Sequence, residues 1–484
     1  MEKVVRYILS RFPHQPTAGQ ETACRRMAEF LFAPDPLSAF VLRGYAGTGK
    51  TSLVSALIQA APGLGLKTVL LAPTGRAAKV LAGYSGRTAY TIHKKIYQTV
   101  TDSNGMMHIG RAQNKHTYTL FIVDEASMIG QPAEGDFTRR DLLEDLIAYV
   151  AEGSHCRLML VGDTAQLPPV GAAESPALSL EYLRANTPLH LFHSELTEVV
   201  RQREDSGILY NATLLRSQIA MMEEGGSPAL PLFDTEGCTD ITRLGGEELE
   251  ETLNREYDGG GLEEAVIVTR SNKRANLFNQ EIRNRVLYRE EEVNAGDYLM
   301  VVKNNYFWLE VESSIGFIAN GDIVEVQSVR NREELYGFTF VDATLRFIDY
   351  PDAPTLDCKL LLSTLHSQSP SLTREESQRL FDEVMKDYAD IPSKSERLKS
   401  VKQNPYYNAL QIKFAYALTC HKTQGGQWGT VIVDQGYLTD EMVDREYLRW
   451  LYTAVTRATG KVYLLNFQDK FFASEDTISR DLQL

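Results

Sequence analysis

One glycine-rich stretch, residues 44–51, constrains the fold more than any other part of the chain. It reads Gly-Tyr-Ala-Gly-Thr-Gly-Lys-Thr and matches G-x-x-x-x-G-K-[ST] at every fixed position. An apolar run, 39–42, precedes it and a helix-like segment, 52–61, follows it. Glycines at these positions let backbone N–H groups and a helix N-terminus approach a polyphosphate closely. The stretch therefore predicts a phosphate-binding loop (P-loop) between a buried strand and a helix.

The chemistry of the P-loop side chains predicts its ligands. Lys50 can reach the outer phosphates of a nucleotide, and the Thr51 hydroxyl can hold Mg²⁺. ATP and Mg²⁺ are therefore the expected ligands. The expected nucleotide contacts in this region are Gly44, Ala46, Gly47, Thr48, Gly49, Lys50, Thr51 and Ser52.

Two later apolar runs end in polar residues that suit the same site. Residues 119–123 run without alternation into Asp124 and Glu125, as a fully buried parallel strand does, so both carboxylates are expected beside the P-loop. Asp124 is placed to bind Mg²⁺, and Glu125 to orient or deprotonate the attacking water. Gln166 follows the strand 157–161 and can sense a terminal phosphate, although read alone it fits a solvated loop equally well.

Three other residues, Arg201, Arg457 and Gln20, suit a nucleotide site, but each also has an ordinary structural interpretation. An arginine delivered from a second domain stabilises charge on a transferring phosphoryl group, which would suit Arg201 and Arg457. A single arginine is more often a surface ion pair. The amide of Gln20 suits the edge of adenine, although a glutamine in this setting is more often a surface residue.

The distribution of charge bears on whether a nucleic acid is a partner. A net charge of −14 argues against a protein coated in basic surface. However, residues 75–95 hold five basic residues and no acid, whereas 244–264 hold eight acids and one arginine. Small, hydroxyl-bearing and basic residues after a strand suit contacts to a sugar–phosphate backbone. The candidates are Pro73, Thr74, Gly75, Arg76, Thr91, His93 and Lys94.

Composition excludes several other classes. The five cysteines are far apart and never form C-x-x-C, which argues against a disulfide framework, a zinc site or an iron–sulfur cluster. The N-terminus is charged, and no stretch approaches the roughly 18 uncharged apolar residues of a membrane span. We expect an intracellular protein of two or three domains from its 484 residues.

Three segments interrupt the alternation of strands and helices. The Asn-Gly pair at 104–105 lies between β-like residues and predicts a hairpin. Short β-like runs from 321 to 362 predict a small barrel, and 371–398 has the pattern of one or two charged amphipathic helices. Alternation returns after residue 414. We therefore expect the middle section to be an insertion.

The motifs taken in order resemble those of superfamily 1B DNA helicases of the RecD-like and phage Dda-like branch. They are GYAGTGKT, PTGRAAK, TIH, DEAS, GDTAQLPPVG, VVRQ, HKTQGG and YTAVTRA, and with Gln20 included the match runs from Gln20 to Arg457. The resemblance implies an α/β fold with two RecA-like P-loop domains, each with a parallel sheet. The implied divisions are domain 1A (1–96 and 118–194), a β-hairpin pin or domain 1B (97–117), domain 2A (195–320 and 411–484), and an SH3-like β-barrel, domain 2B, with a helical elaboration (321–410).

The resemblance also implies residue roles. Gln20 would contact adenine, Gln166 the γ-phosphate, and Arg201 and Arg457 would act as arginine fingers. Gly425 of the HKTQGG motif is expected at the nucleotide. The residues expected to line a single strand are Thr74, Thr91, His93, His421, Lys422 and Thr423.

The implied function is ATP-driven movement in the 5′ to 3′ direction along single-stranded DNA, with unwinding of duplex DNA. The implied nucleic-acid partners are single-stranded and forked DNA. The implied protein partner is a single-stranded-DNA-binding protein or a replication or repair complex. The protein is expected to be a monomer that does not contact a membrane. Three alternatives stay open. An RNA helicase of the same superfamily fits because backbone contacts do not reveal tolerance of a 2′-OH. A non-translocating ATPase that loads onto nucleic acid also fits, whereas a small-molecule phosphotransferase leaves the HKTQGG motif unused.

Overall fold

A computed structural model of the chain describes all residues except 36, 102–106, 132–140, 200–205, 224, 227–229, 310–316 and 473–484. Its main β structures are a six-stranded sheet, a five-stranded sheet, a closed five-stranded barrel and a two-stranded hairpin. The two larger sheets are parallel, as predicted for two RecA-like domains.

The N-terminal part of the chain alternates strands and helices. Its described strands are β1 (Ser38–Gly44), β2 (Lys67–Ala72), β3 (Ala89–Thr91), β4 (Tyr97–Thr101), β5 (Met107–Arg111), β6 (Thr119–Val123), β7 (Arg157–Gly162) and β8 (His190–Leu196). Its described helices are α1 (Glu2–Leu9), α2 (Ala18–Leu31), α3 (Lys50–Ala60), α4 (Gly75–Ser85), α5 (Ile92–Ile96), α6 (Leu142–Glu152) and α7 (Leu180–Asn186).

Six of these strands form the first sheet, in the order β3-β2-β6-β7-β1-β8. Strand β6 is buried along its whole length because helices cover both faces of the sheet. The chain passes from β1 to β2 over the positions that β7 and β6 later fill. The loops that follow β1, β6 and β7 therefore open at one edge of the sheet, where ligands bind in such folds.

The start of the chain differs from the sequence expectation. Helix α1 was not predicted, yet Val5 and Ile8 pack into the core beneath the sheet. From residue 21 to 32 the sequence has a helix-like pattern, but helix α2 begins at Ala18. The cause is a capping box, in which Thr17 accepts the Gln20 N–H and the Gln20 side chain accepts the Thr17 N–H.

The predicted hairpin is confirmed. Strands β4 and β5 pair antiparallel, from Tyr97 opposite Arg111 to Thr101 opposite Met107. The Asn-Gly turn itself lies outside the described residues. The function of the hairpin as a strand-separating pin stays a prediction.

The C-terminal part contains the second sheet and the barrel. Its described strands are β9 (Ile241–Leu244), β10 (Ala265–Thr269), β11 (Tyr298–Val301), β12 (Ile323–Leu335), β13 (Phe338–Phe347), β14 (Leu356–Leu361), β15 (Leu410–Phe414), β16 (Ala417–Thr419), β17 (Trp428–Asp434) and β18 (Ala458–Leu465). Its described helices are α8 (Gly207–Glu223), α9 (Leu249–Gly260), α10 (Asn272–Glu281), α11 (Arg374–Lys386), α12 (Lys394–Lys402), α13 (Cys420–Thr423) and α14 (Arg445–Val455).

The barrel is larger than the sequence predicted. It closes through β11 to β15, so its first strand begins at Tyr298 and its last ends at Phe414. The predicted limits of 321 and 410 were therefore wrong, because β11 lies before the first limit and β15 extends beyond the second. The buried side chains of the barrel and of the second sheet, whose strand order is β16-β10-β17-β18-β9, form one continuous hydrophobic core.

The segment after the barrel strand β14 forms two helices, α11 and α12, as its charged amphipathic pattern predicted. Leu380, Val384 and Val401 from these helices pack against Phe338 and Phe340 of β13. The five cysteines are free thiols. Within the described ranges, each helix is too short or too polar to cross a membrane.

Candidate nucleotide and nucleic-acid sites

The P-loop connects β1 to α3 and has the backbone that its glycines predict. Gly47 and Gly49 have φ angles of +75° and +81°, in the left-handed region that favours glycine. A Cβ atom at Gly49 would lie 2.4 Å from Gln20 Nε2. Helix α3 begins at Lys50, so its N-terminus faces the loop.

Lys50 lies within the loop that it is predicted to serve. Its Nζ donates to the carbonyl oxygens of Gly44 at 2.6 Å and Tyr45 at 2.8 Å, and lies 3.9 Å from Asp163 Oδ2. Thr51 and Ser52 follow in the first turn of α3 and line the same cleft. The ammonium group therefore lies at the point where the loop faces the carboxylates of the neighbouring strands.

Asp124 and Glu125 follow β6 and lie in this cleft, as predicted. Asp124 Oδ1 accepts the Glu125 N–H at 2.9 Å, and Oδ2 accepts the Tyr84 hydroxyl at 2.7 Å. Burial raises the pKa of Glu125, and the Arg457 charge partly opposes that rise. A carboxylate with a raised pKa suits proton abstraction from water.

Arg457 brings the second sheet to the P-loop cleft. It follows α14 and is buried, with its Nη1 atom 3.8 Å from Glu125 Oε1. Its Nε donates to the Thr453 carbonyl at 3.1 Å, which holds the guanidinium against its own helix. Arg201, the other predicted arginine finger, lies outside the described residues.

The loop after β7 joins the two sheets. The Leu167 N–H donates to Thr453 Oγ1 at 2.8 Å, and Gln424 Nε2 donates to the Leu167 carbonyl at 2.6 Å. Gln166 is buried in the cleft wall, and among the described residues its Oε1 has no hydrogen-bond partner. This loop therefore contacts the cleft through Gln166 and the second sheet through the next residue.

Tyr452 is a residue in the cleft region that sequence reasoning missed, although it lies within the motif YTAVTRA. It comes from α14, is fully buried, accepts the Ala46 N–H at 2.8 Å and donates to Asp163 Oδ2 at 2.6 Å. The hydroxyl thus bridges the P-loop and the loop after β7. Its position in a quoted motif, five residues before Arg457, was the signal available in the sequence.

The far end of the cleft contains Gln20. The cleft has a volume of about 640 Å³, and Phe12, Pro13, His14, Gln15 and Gln20 form part of its wall. The Gln20 amide also makes internal hydrogen bonds, because Oε1 accepts the Thr17 N–H and Nε2 donates to the Thr48 carbonyl, each at 3.0 Å. Gln20 therefore links α2 to the P-loop at the cleft wall, and its contact to adenine stays a prediction.

Gly425 does not line the cleft, contrary to the expectation that it binds the nucleotide. Its φ angle is +72°, and a Cβ atom there would lie 2.8 Å from Ala77 Cβ and 3.2 Å from Thr74 Oγ1. The glycine permits close packing of the second sheet against α4. We correct its assignment to an interdomain packing residue.

The candidate strand-binding residues follow β2 and β3 and precede β17, and several of them make internal contacts. Thr74 and Thr91 cap α4 and α5, accepting the N–H groups of Ala77 at 3.2 Å and Lys94 at 3.1 Å. Pro73 precedes the first cap and is half-buried. The two hydroxyls thus stabilise helix N-termini that face the predicted strand path.

Two candidate strand contacts make internal contacts in this structure, and their contact to a strand stays a prediction. The Arg76 guanidinium lies 3.9 Å from the centre of the Trp428 ring and donates to the Gln427 carbonyl at 3.0 Å. Thr423 is fully buried and donates to the Cys420 carbonyl at 2.8 Å. Arg76 is therefore an interdomain contact, and Thr423 stabilises its own turn.

The remaining candidates lie among buried basic and aromatic groups. Burial lowers the pKa of His421 and lowers that of Lys422 to about 8. The pKa of Lys413 is also about 8, because of burial and the nearby Lys422 charge. Buried ammonium groups of this kind gain most from a polyanion that restores their charged form.

His93 lies beside an aromatic group that sequence reasoning missed. Its ring centre is 5.6 Å from that of Tyr97 and 6.4 Å from that of Phe317, and Phe317 stacks on Tyr306 at 4.8 Å. Burial lowers the pKa of His93, which favours its neutral form. These rings come from α5, β4 and the connection between β11 and β12, so only the tertiary fold assembles them.

The candidate strand-binding residues, from Pro73 to Lys94 and from His421 to Thr423, are called the track below. Acidic residues of the barrel face it. A Cβ atom on Gly75 would lie 2.6 Å from Asp322 Oδ1, and Lys79 Nζ lies 3.5 Å from Asp349 Oδ1. Burial raises the pKa of Asp322 to about 7, Asp349 adds to the rise, and the Lys94 charge opposes it. The first turn of α4 is therefore covered by the barrel.

Comparison with known families divides the chain in the same way as the two sheets. A family model described as an AAA domain matches residues 15–224, which include all of β1 to β8. A model described as a UvrD-like helicase C-terminal domain matches residues 414–465, which include β16 to β18 and Arg457.

Relatives with curated names include two helicases. The ATP-dependent RecD2 DNA helicase of Deinococcus radiodurans is 27% identical over 434 residues, which are 87% of this chain and 46% of the relative. The ATP-dependent DNA helicase dda of Enterobacteria phage T4 is 30% identical over 179 residues, 36% of this chain and 37% of the relative. Uncharacterized protein R530 of Acanthamoeba polyphaga mimivirus is 22% identical over 516 residues, 92% of this chain and 98% of the relative. The aligned part is less than half the length of either helicase.

Solved structures with similar coordinates include Pif1 helicases. One, from Bacteroides in complex with ADP-AlF3 and single-stranded DNA, has a TM-score of 0.46 and 15% identity over 97% of each chain. Another, from a study of forked duplex DNA and two Pif1 helicases, has a TM-score of 0.45 and 16% identity over 97% of each chain. The two family matches and the two named helicases agree with the resemblance of the ordered motifs to superfamily 1B helicases of the RecD-like and Dda-like branch.

Proposed function

We propose that the protein is an ATP-dependent DNA helicase that moves 5′ to 3′ along single-stranded DNA and unwinds duplex DNA. The observation that carries the proposal is the position of Arg457, which comes from the second sheet and lies 3.8 Å from Glu125 of the first sheet, in the P-loop cleft. An ATPase built from one sheet needs no such residue. A site completed by two domains changes its geometry when the domains move, which is what a motor requires.

The cleft residues have the chemistry for ATP hydrolysis. The P-loop backbone and Lys50 bind the outer phosphates, and Glu125 takes a proton from the attacking water. Arg457, with Arg201 as a second candidate, stabilises the charge that develops on the γ-phosphoryl group, and Gln166 contacts that group. Burial of Glu125 supports its role, since it raises the pKa of the carboxylate.

Thr51 and Asp124 fit a magnesium ion. A hydroxyl and a carboxylate are the oxygen ligands that Mg²⁺ takes beside a nucleotide, and both residues line the cleft. When bound, the ion neutralises charge on the phosphates. Asp124 is held in place by hydrogen bonds to both of its carboxylate oxygens.

Coupling of hydrolysis to movement is assigned to the contacts between the sheets. Tyr452 and Thr453 of α14 contact the P-loop and the loop after β7, so closure around ATP moves α14 and Arg457 together. Each domain's contacts to the strand change with closure, and the cycle becomes net movement. The energy needed is modest, because opening one base-pair step costs roughly 1.4 kcal/mol.

The proposed partners are single-stranded and forked DNA. Relatives and structural neighbours are named for DNA helicase activity, for single-stranded DNA and for forked duplex DNA. We extend this to an intracellular protein acting as a monomer, with a single-stranded-DNA-binding protein or a replication or repair complex as its protein partner. The 5′ to 3′ direction follows from the family and not from an individual residue.

The experiment is unwinding of two partial duplexes, one with a 5′ tail and one with a 3′ tail, in ATP and Mg²⁺. Lys50→Ala protein serves as the control for hydrolysis. Opening of the 5′-tailed duplex alone supports both the motor and its direction. Opening of the 3′-tailed duplex alone would overturn the direction, and failure to open either, with ATPase intact, would overturn the DNA helicase in favour of an RNA substrate or a static ATPase.

A further inference from the structure

Tyr84 lies in the P-loop cleft at a position to which no motif points. It belongs to the last turn of α4, is half-buried and lines the cleft. Its hydroxyl donates to Asp124 Oδ2 at 2.7 Å, while Asp124 Oδ1 accepts the Glu125 N–H at 2.9 Å. One oxygen of Asp124 is thus oriented by its own main chain, and the other by a side chain from α4.

The opposite end of α4 contacts the second sheet and the barrel. Arg76 stacks on Trp428, Ala77 lies against Gly425, and Gly75 faces Asp322. The same turn holds the predicted strand contacts Thr74 and Gly75. Any change in the position of the second sheet or of a bound strand therefore acts directly on the first turn of this helix.

Helix α4 is short enough to move as one body. Gly75 and Tyr84 are nine residues apart in one α-helix, which corresponds to about 14 Å along its axis. The helix also contacts the P-loop helix α3, whose Ser55 Oγ donates to the Tyr84 carbonyl at 3.5 Å. A shift at the first turn therefore displaces the Tyr84 hydroxyl relative to Asp124.

We propose that Tyr84 is a positioning residue that orients the Asp124 carboxylate for the metal–nucleotide complex and makes this orientation depend on the position of α4. The inference rests on the proposed function, since it assigns a use to the metal ligand and to DNA stimulation. Tyr84 itself performs no bond-making step. It acts through Asp124, and α4 carries the dependence on the strand and on the second sheet.

Magnesium-dependent nucleotide binding tests the first part. Binding of a fluorescent, non-hydrolysable ATP analogue to the full chain is titrated with Mg²⁺ for the wild type and Tyr84→Phe. The variant keeps the ring and loses the hydroxyl, so we expect about fivefold more Mg²⁺ for half-saturation, as for the loss of one hydrogen bond to a charged group. Tyr118→Phe is the matched control, because Tyr118 is exposed and stacks on His155 away from the cleft. Equal magnesium dependence in wild type and Tyr84→Phe would overturn the proposal.

A double-mutant cycle separates positioning from general damage to the fold. If Tyr84 acts through Asp124, then Tyr84→Phe changes analogue affinity by less than about twofold in an Asp124→Asn background. An undiminished effect in that background would show that Tyr84 acts elsewhere and would overturn the assignment. Thermal unfolding of each variant identifies any that fail to fold, and the magnesium titration of Tyr84→Phe relative to Tyr118→Phe remains decisive.

DNA stimulation tests the second part. We expect Tyr84→Phe to bind single-stranded DNA as the wild type does, within about twofold, but to lose about tenfold of its DNA-stimulated turnover at limiting Mg²⁺, with partial recovery at high Mg²⁺. Loss of stimulation that Mg²⁺ does not change would overturn the link to Asp124. If DNA did not stimulate the wild type, the proposed helicase function would fail. If DNA stimulated the wild type and Tyr84→Phe equally, the helicase function would stand and only this inference would fail.

Discussion

The nucleotide cleft and the nucleic-acid track differ in what holds their binding groups. In the cleft, left-handed glycines fix the P-loop, and Lys50, Glu125 and Arg457 converge within about one side-chain length. Along the track, Thr74 is already used to cap a helix and Arg76 is stacked on Trp428. The cleft is therefore largely assembled, whereas the track consists of groups that also hold the domains together.

This difference follows from what each ligand offers. A nucleotide polyphosphate is compact, and one loop and three strand ends provide most of its contacts. A single strand is extended, so the residues proposed to contact it come from the parts of the chain that form both sheets, and several of them also pack against other elements. Substitutions in the cleft should therefore abolish chemistry, whereas substitutions in the track should give graded effects.

The largest expected effect is that of Lys50→Ala. Removing the ammonium group from the P-loop takes away a charge that contacts the outer phosphates, so ATP turnover should fall by at least about 10³-fold. Binding of single-stranded DNA should be largely spared, because Lys50 lies away from the track. Steady-state ATPase and fluorescence anisotropy with an oligonucleotide measure the two. Retained turnover would remove Lys50 from the site.

Glu125→Gln should separate nucleotide binding from hydrolysis. The amide keeps the shape of the side chain but cannot accept the proton from water, so turnover should fall by about 10²- to 10³-fold while ATP still binds. Single-turnover hydrolysis and equilibrium binding of labelled ATP check this expectation. A variant with normal turnover would show that another group is the base.

Tyr452→Phe tests whether the contacts between the two sheets contribute to ATP turnover in the cleft or only hold the sheets together. The change leaves the Ala46 N–H without its acceptor and removes the donor to Asp163 Oδ2, in a fully buried position, while Asp163 Oδ1 still accepts the Ala165 N–H. DNA-stimulated turnover should fall by about tenfold, with ATP affinity within about threefold of the wild type. If turnover and affinity both stayed unchanged, the bridge would be a packing contact alone.

The sequence was sufficient for features that depend on local geometry. The P-loop, the Asp124–Glu125 pair and the hairpin each rest on a few consecutive residues with special backbone or burial requirements. The capping role of Gln20 was not predicted, because its amide fits a capping box and an adenine edge equally well, and only its contacts to Thr17 and Thr48 in the structure reveal the box. Capping motifs of the form T-x-x-Q deserve to be considered first when such a glutamine precedes a helix.

Features that depend on distant residues were not predictable. The barrel limits were wrong because β11 and β15 are short strands, of four and five residues, whose sequences do not show whether they pair within the barrel or in the neighbouring sheet. Gly425 was expected at the nucleotide because it belongs to the HKTQGG motif, whereas here the glycine gives room for Ala77. Tyr84 gave no signal, since its partner lies 40 residues later in the chain.

Lys422 and Arg76 sharpen the comparison within the track itself. Lys422→Ala should weaken binding of single-stranded DNA about threefold to fivefold and reduce the slope of log affinity against log salt by about 0.7, as for one lost phosphate contact. Arg76→Ala should leave that slope unchanged, because its guanidinium contacts Trp428 and Gln427. Anisotropy at several salt concentrations measures both. Equal changes in slope would return Arg76 to the strand-binding set.

The smallest expected effect concerns Asp322, where the barrel covers the first turn of α4. In the folded chain burial raises the pKa of this carboxyl from 3.8 to about 7, so the folded state holds a proton that the unfolded state releases. This difference contributes to the free energy of unfolding. The contribution is complete below the pKa of Asp322 in the unfolded chain and is lost as pH rises through about 7. Asp322→Asn keeps an acceptor for the Ala319 N–H but cannot ionise.

The Asp322→Asn variant should therefore melt about 2–4 °C above the wild type at pH 8 and within about 1 °C of it at pH 5. Asp357→Asn is the matched control, because this barrel carboxylate is exposed and its loss changes net charge by the same amount. A pH-independent difference would mean that Asp322 stays ionised against α4, held there by Lys94 and the helix N-terminus. Electrostatic attraction would then outweigh burial at this contact, and the track would resemble the cleft in being built around a fixed charge.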